Sequence, residues 1–236
     1  MHSVERDIMV GMIRVLDEAL KKSVLTKEQY QERLKELKEF EKETDFMLVN
    51  SPNCHIDLSS VVKILKPQTT DSKECNNIED IIKFANQKDM LVYTNIDGID
   101  MSITYVDGII AKIEIGSALI NIKNIYNIPY KINKSGTYIV QGKVAVVESD
   151  KIKFLVHNVI KDDGVNQRED LLEAKNLLFD IVPNWLAINF APKNLQNNID
   201  YIFDYANDEE LPCSGIVFKF NNTKDKGSIV YTMQNE

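Results

Sequence analysis

Surplus positive charge is what this sequence most lacks: 28 lysines and arginines face 36 aspartates and glutamates, a net charge of −8. Affinity for a nucleic-acid backbone is largely electrostatic and needs the opposite balance, so no nucleic-acid partner is expected. Cysteine is scarce as well. Cys54, Cys75 and Cys213 are odd in number and widely separated, with no Cys-x-x-Cys pair and no histidine at ligand spacing, which argues against disulfides and structural zinc and suits reduced thiols. No apolar run approaches the roughly 18 residues that span a bilayer, and no membrane partner is expected. The start, Met1-His2-Ser3-Val4-Glu5-Arg6-Asp7, lacks the basic and then apolar order of an export signal, so the expected location is cytoplasmic. Two acidic clusters, Asp162-Asp163-Gly164 and Asp208-Glu209-Glu210, lack the alternating oxygen ligands of a calcium loop and read as solvated turns. No metal site is expected.

What is present is enough for a full core. The 236 residues, 44% of them hydrophobic and 27% charged, suit one large soluble domain or a large and a small one. Residues 4–42 read as two helices joined at Ser23 to Thr26. Thr26-Lys27-Glu28-Gln29 fits a capping box, and Tyr30, Leu34, Leu37 and Phe40 recur at helical spacing as a buried stripe. Residues 44–76 are irregular and form the expected linker, with turn signals at Ser51-Pro52-Asn53 and Lys66-Pro67. Asn77 can cap a short helix carrying Ile78, Ile81, Ile82 and Ala85.

From Leu91 the chain is mostly strands. Ile99, Met101, Ile103 and Tyr105 alternate with polar residues, and the turn Asp107-Gly108 leads into Ala111, Ile113 and Ile115, a β-hairpin pattern. Further strands are predicted at 137–147, 152–160, 186–190, 216–220 and 228–233, with helices at 167–179 and 195–206. Strict βαβ alternation is missing, so the fold class expected is α+β with antiparallel sheets. The aromatic residues Phe179, Trp185, Phe190, Tyr201, Phe203 and Tyr205 suit either an interaction surface or the core, and read more readily as core; His2, His55 and His157 read as structural.

One segment carries chemistry. Tyr93-Thr94-Asn95-Ile96-Asp97-Gly98, followed by the hairpin, resembles the nucleotide-attachment segment of bacterial NAD-dependent DNA ligases, whose signature is Lys-x-Asp-Gly. The Asp-Gly is kept, and Asn95 stands at the lysine position. Four more segments match, all in the family's order. The stretch Ser23 to Ile56 resembles its small helical domain, with Tyr30 matching a tyrosine of the nicotinamide site. Pro67-Gln68-Thr69-Thr70-Asp71 lies at the adenine-pocket segment, where Pro67 and the Thr70 hydroxyl match. Val140-Gln141-Gly142-Lys143-Val144 resembles Val-Arg-Gly-Glu-Val, with Lys143 reversing a charge. Leu211-Pro212-Cys213-Ser214-Gly215-Ile216-Val217-Phe218-Lys219 resembles Leu-Pro-x-x-Asp-Gly-Val-Val-x-Lys, with Lys219 kept.

The resemblance implies a ligase-type nucleotidyltransferase fold over residues 57–236, preceded by a small helical domain over residues 1–56. It also implies the cytoplasm of a bacterial host cell as the location. The family's OB-fold, zinc, helix-hairpin-helix and BRCT modules are not found after Met233. A carboxamide nitrogen is delocalised and not nucleophilic, so Asn95 cannot form the phosphoramide bond with which the family begins; Lys112 or Lys123 is the alternative nucleophile. The expectation is therefore a chain that is not an enzyme: a ligase-like pseudoenzyme that binds a protein partner as an inhibitor or regulator, of the kind phages and mobile elements use in counter-defence. The alternative is a module that captures NAD, ADP-ribose or a related nucleotide without reacting. No cofactor is required, NAD or an adenine nucleotide being the candidate ligand. The remnant cleft expected for it comprises Tyr30, Thr70, Asn95, Asp97, Gly98, Lys143 and Lys219, with no catalytic residue. Asp97-Gly98 reads equally as a folding turn, and Lys219 reads more readily as a solvated strand end than as a phosphate ligand.

Overall fold

Two helices open the chain, α1 (Ser3–Lys22) and α2 (Lys27–Thr44), in a computed structural model that describes residues 3–65, 72–117, 120–147, 151–164, 166–190 and 195–232. The capping box forms as expected: the Thr26 hydroxyl accepts from the Gln29 N–H at 3.2 Å, and the Gln29 side chain accepts from the Thr26 N–H at 2.9 Å. The stripe on α2 is shallower than its spacing suggests. Leu37 is buried, while Tyr30, Leu34 and Phe40 are half-buried against Met9, Ile13 and Leu16 of α1. A second buried side chain on α2 is a carboxylate, Glu41, held by the Ser51 hydroxyl and by Asn53 Nδ2 at 2.9 Å. Burying a charge this way requires such donors.

The chain continues through α3 (Leu58–Val61), β1 (Val62–Ile64), β2 (Ser72–Cys75), α4 (Ile78–Ala85), β3 (Met90–Ile96), β4 (Ile99–Val106), β5 (Ile109–Ile115) and β6 (Thr137–Val147). It then forms β7 (Lys151–Lys161), α5 (Gln167–Asn176), β8 (Asp180–Ile181), β9 (Asn184–Ala187), α6 (Leu195–Asp208), β10 (Cys213–Phe220) and β11 (Ser228–Tyr231). The first sheet has the order β1-β5-β4-β6-β7-β8 and the second β2-β11-β10-β3-β9. This is the α+β class expected, with antiparallel pairing at the centre of both sheets.

The edges correct that expectation. β1 pairs with β5, β2 with β11 and β8 with β7, all in parallel. The 44–76 stretch read as an irregular linker therefore supplies edge strands to both sheets. Three- and four-residue strands owe their structure to the partner backbone, which no local pattern records. In β7–α5–β8 the intervening helix provides the crossover that parallel pairing requires.

Both faces of the second sheet are covered, which explains the unbroken burial of Met90 to Thr94 in β3. Met90, Val92, Ile216 and Phe218 pack beneath α4 and α6 with Ile81, Ile199 and Ile202. Leu91, Tyr93 and Val217 face the first sheet and join its core of Met101, Ile103, Tyr105, Val140, Phe154 and Phe179. In the hairpin, a register shift between Thr104 and Tyr105 turns Ile110 inward and Ala111 outward, reversing the predicted alternation at the start of β5. The predicted strand at 186–190 begins instead at Asn184 and ends in a 3₁₀ turn, Ile188–Phe190. Of the aromatic residues read as core, Phe179 and Phe190 are buried, whereas Tyr201 is 69% exposed. Among the described residues, no helix is long and apolar enough to cross a membrane.

Candidate functional site

Strand pairing in the second sheet sets the candidate site. β3 and β10 run antiparallel with Asn95 opposite Gly215, Tyr93 opposite Val217 and Leu91 opposite Lys219. Alternation along each strand then places Tyr93, Asn95, Val217 and Lys219 on the face turned toward the first sheet. From that sheet, the β4–β6 register puts Asp100 opposite Lys143 and Ser102 opposite Gln141, and the β6–β7 register puts Gln141 opposite Asn158. A bulge after Gln141 leaves His157 as the extra residue of β7.

Between the two sheets lies a set of polar side chains that bond to one another. The Lys219 amine donates to Asn158 Oδ1 at 2.8 Å and to Gln167 Oε1 at 3.0 Å. Asn158 Nδ2 donates in turn to Gln141 Oε1 at 2.7 Å. Lys143 pairs with Asp100 at 2.8 Å. The Tyr93 ring stacks on the His157 imidazole, with centroids 5.7 Å apart and planes 5° from parallel. Asn95 donates through Nδ2 to the Ser214 hydroxyl at 3.2 Å.

Lys219 is the unusual member. It is half-buried, both of its hydrogen bonds go to neutral amide oxygens, and among the described residues no carboxylate pairs with it. Burial pushes its amine down from 10.5 to about 8. This corrects the reading of Lys219 as a solvated strand end: the strand continues to Phe220 and carries the amine in against β7 and α5. Burial, with the ammonium groups of Lys219 and Lys143 adding to it, pushes the His157 imidazole down from 6.5 to about 4. His157 is thus uncharged near neutrality, and its Nδ1 is buried with no hydrogen-bond partner.

The remaining predicted site residues divide. Asp97 and Gly98 are exposed at the corner where the chain leaves the second sheet for the first, and the Asp97 N–H donates to Pro212 O at 2.7 Å. A Cβ on Gly98 would stand 2.5 Å from the Val144 carbonyl oxygen, so the backbone crossing there requires glycine. Tyr30 lies in the hydrophobic cluster of the helical hairpin, apart from the cluster that holds Tyr93 and Val217. Thr70 falls outside the described residues. Neither alternative amine is free: Lys112 pairs with Glu114 at 2.7 Å, and Lys123 donates to the carbonyls of Val49 at 2.5 Å and Cys54 at 3.3 Å.

Sequence reading missed Gln141, His157, Asn158 and Gln167 as members of the cleft. A signal existed in the paired polar residues His157-Asn158, which interrupt the apolar run from Phe154 to Ile160. Gln167 had none, because only the fold brings the first turn of α5 against β10.

No family model matches the sequence. It is 30% identical, over 181 residues, to a protein named DNA ligase from Ruminiclostridium cellulolyticum, covering 68% of this chain and 27% of that one. A DNA ligase from Lachnoclostridium phytofermentans is 19% identical, covering 89% of this chain and 41% of its own length. The chain thus spans about a quarter to two-fifths of the curated relatives it matches. Among solved structures, it is similar to a Naegleria gruberi RNA ligase variant with ATP and Mn (TM-score 0.43, 13% identity, 71% of this chain and 56% of that chain). It is also similar to a putative ATP-dependent DNA ligase from Aquifex aeolicus (TM-score 0.43, 14% identity, 70% and 49%). The two sequence relatives named DNA ligase overturn the expectation that the chain is not an enzyme, since ligases are enzymes. Asn95 rules itself out as a nucleophile; it does not rule out catalysis. The similarity in sequence and the two-sheet α+β architecture together support a ligase-like fold.

Proposed function

We propose that the cleft between the two sheets binds a nucleotide through its phosphate, with Lys219 as the anion-binding group. The observation that carries this reading is the state of that amine: a lysine drawn in against two neutral amides, with no carboxylate among the described residues to balance it. A cation in that position costs desolvation, and an anionic ligand recovers it. Similarity to proteins named DNA ligase makes NAD or an adenine nucleotide the first ligands to try. The His157 imidazole, backed by the stacked Tyr93 ring, offers a flat face near the amine, and Lys143 offers a second cation once it exchanges Asp100 for the ligand.

Binding requires the Lys219–Asn158 and Lys219–Gln167 bonds to yield to phosphate oxygens, so the affinity expected is moderate. Calorimetry with NAD, ATP and ADP-ribose is the test. At least one should bind at micromolar to millimolar concentration, and Lys219→Met should weaken that binding by about tenfold or more, the scale of one charge-assisted contact. Because the ammonium is the binding form and its free value lies near 8, affinity should fall as the pH rises above that value. Absence of heat with all three nucleotides would end the proposal.

A further inference from the structure

A separate, open cavity of about 600 Å³ lies where the edge strands β8 and β9 of the two sheets meet, bordered by α5, the Pro183-Asn184 connection and α6. Among the described residues, its wall carries two cations, Arg168 and Lys175, three aromatic rings, Trp185, Tyr201 and Tyr205, and no carboxylate. In a chain with a net charge of −8 that is a local reversal of sign. Neither cation forms an ion pair with any described residue, and the Arg168 Nε is buried without a hydrogen-bond partner. An unbonded buried guanidinium N–H is a donor waiting for an acceptor.

The rings are as telling as the charges. Tyr201 is 69% exposed and Tyr205 42% exposed, although large aromatic surfaces are normally withdrawn from water. Spaced four residues apart on α6, they share one face of the helix. Trp185 stands across the cavity on β9. Flat apolar faces next to a pair of uncompensated cations complement a planar ring joined to a dianion, and the volume is in the range of small-ligand sites.

We propose that this cavity is a second binding site, distinct from the cleft, that takes a mononucleotide with its base against Trp185, Tyr201 and Tyr205 and its phosphate on Arg168 and Lys175. Arg168 directly follows Gln167, whose side chain holds Lys219 in the cleft. The first turn of α5 therefore touches both sites.

Trp185 is the chain's only tryptophan, so its emission reports on this cavity. The whole chain is titrated with AMP, exciting the indole at a wavelength adenine does not absorb. A saturable change in emission is expected, with adenosine and inorganic phosphate each requiring roughly tenfold more ligand because each engages half of the site. Arg168→Gln should weaken AMP by about tenfold, as should Lys175→Gln, a solvent-side change that gives a second reading if Arg168→Gln does not fold. Lys219→Met should leave the titration unchanged, which separates this site from the cleft: failure of nucleotide binding there would not alter the tryptophan signal. Absence of a saturable response up to millimolar AMP, an equal response in both cavity variants, or loss of the response in Lys219→Met would overturn the proposal.

Discussion

At the scale of single residues, the two perturbed groups of the cleft fix how the protein should respond to pH. Lys219 has a folded value near 8 against an ordinary 10.5, so between those limits the unfolded chain binds more protons than the native one. Stability should therefore rise with pH across that window, the penalty for a charged Lys219 being fully present below about 8. His157 works in the same direction at the acid side: its folded value near 4 lies below 6.5, and the stability of its uncharged form is lost as pH falls through that interval. Urea unfolding of wild type and Lys219→Met from pH 7.5 to 10.5 should show a rising curve that flattens in the variant. Parallel curves would mean that the amine is not held as described. Gly98 offers a test of geometry rather than charge. Gly98→Ala would drive a methyl group to within 2.5 Å of the Val144 carbonyl, a backbone atom that cannot swing away. A loss of about 1–3 kcal/mol in urea unfolding is expected, the usual cost of forcing atoms into a packed site.

Secondary-structure elements were legible where their cause is local. The capping box at Thr26, the Asn77 cap of α4 and the Asp107-Gly108 turn all form from contacts within four residues, and each was predicted. What escaped is non-local: β1 and β2, made by partner strands; the register shift that reverses Ala111 and Ile110; and Gln167, a cleft residue only because α5 crosses beside β10. The β7–α5–β8 crossover also conceals an ion network that the sequence does not announce. Lys161, at the end of β7, pairs with Asp170 at 3.0 Å and Glu173 at 2.7 Å on α5, and Glu173 also pairs with Lys134. The Asp170 side chain is only 5% exposed, and burial raises its carboxyl above the ordinary range despite Lys161. Lys161→Met would leave that carboxyl buried beside Glu173 with no cation of its own. The expected cost is about 3–5 kcal/mol, as for other half-removed buried pairs, and the double variant Lys161→Met/Asp170→Asn should recover a large part of it. Denaturant titration of both proteins measures the difference.

For the whole molecule, the question is how the helical hairpin is held to the sheets, since its own cluster of Met9, Ile13, Leu16 and Leu37 is small. Phe46, Leu48, Tyr126 and Leu178 pack against that cluster, and polar groups add further attachments. Arg6 pairs with Asp180 at 2.7 Å and donates to Leu178 O at 3.1 Å, Tyr126 donates to Asp17 at 2.8 Å, and the Arg14 guanidinium lies 4.9 Å from the centre of the Tyr126 ring. Two backbone links, Val49 N–H to Ile128 O and Tyr130 N–H to Met47 O, continue the join beyond α2. That cluster is separate from the two sheet cores, so the hairpin can open while they stay closed. Arg6→Ala removes the anchor nearest the start of α1 and leaves Asp180 with the Asn127 amide at 3.0 Å, so the carboxylate is not stranded. Hydrogen exchange should then accelerate by about tenfold or more in Ser3–Lys22, where each tenfold change corresponds to roughly 1.4 kcal/mol of opening energy. Exchange in β3 and β10, the strands that carry the cleft, should stay at the wild-type rate. If the strands speed up with the helix, the hairpin is part of one cooperative unit and its polar anchors stabilise the cleft as well.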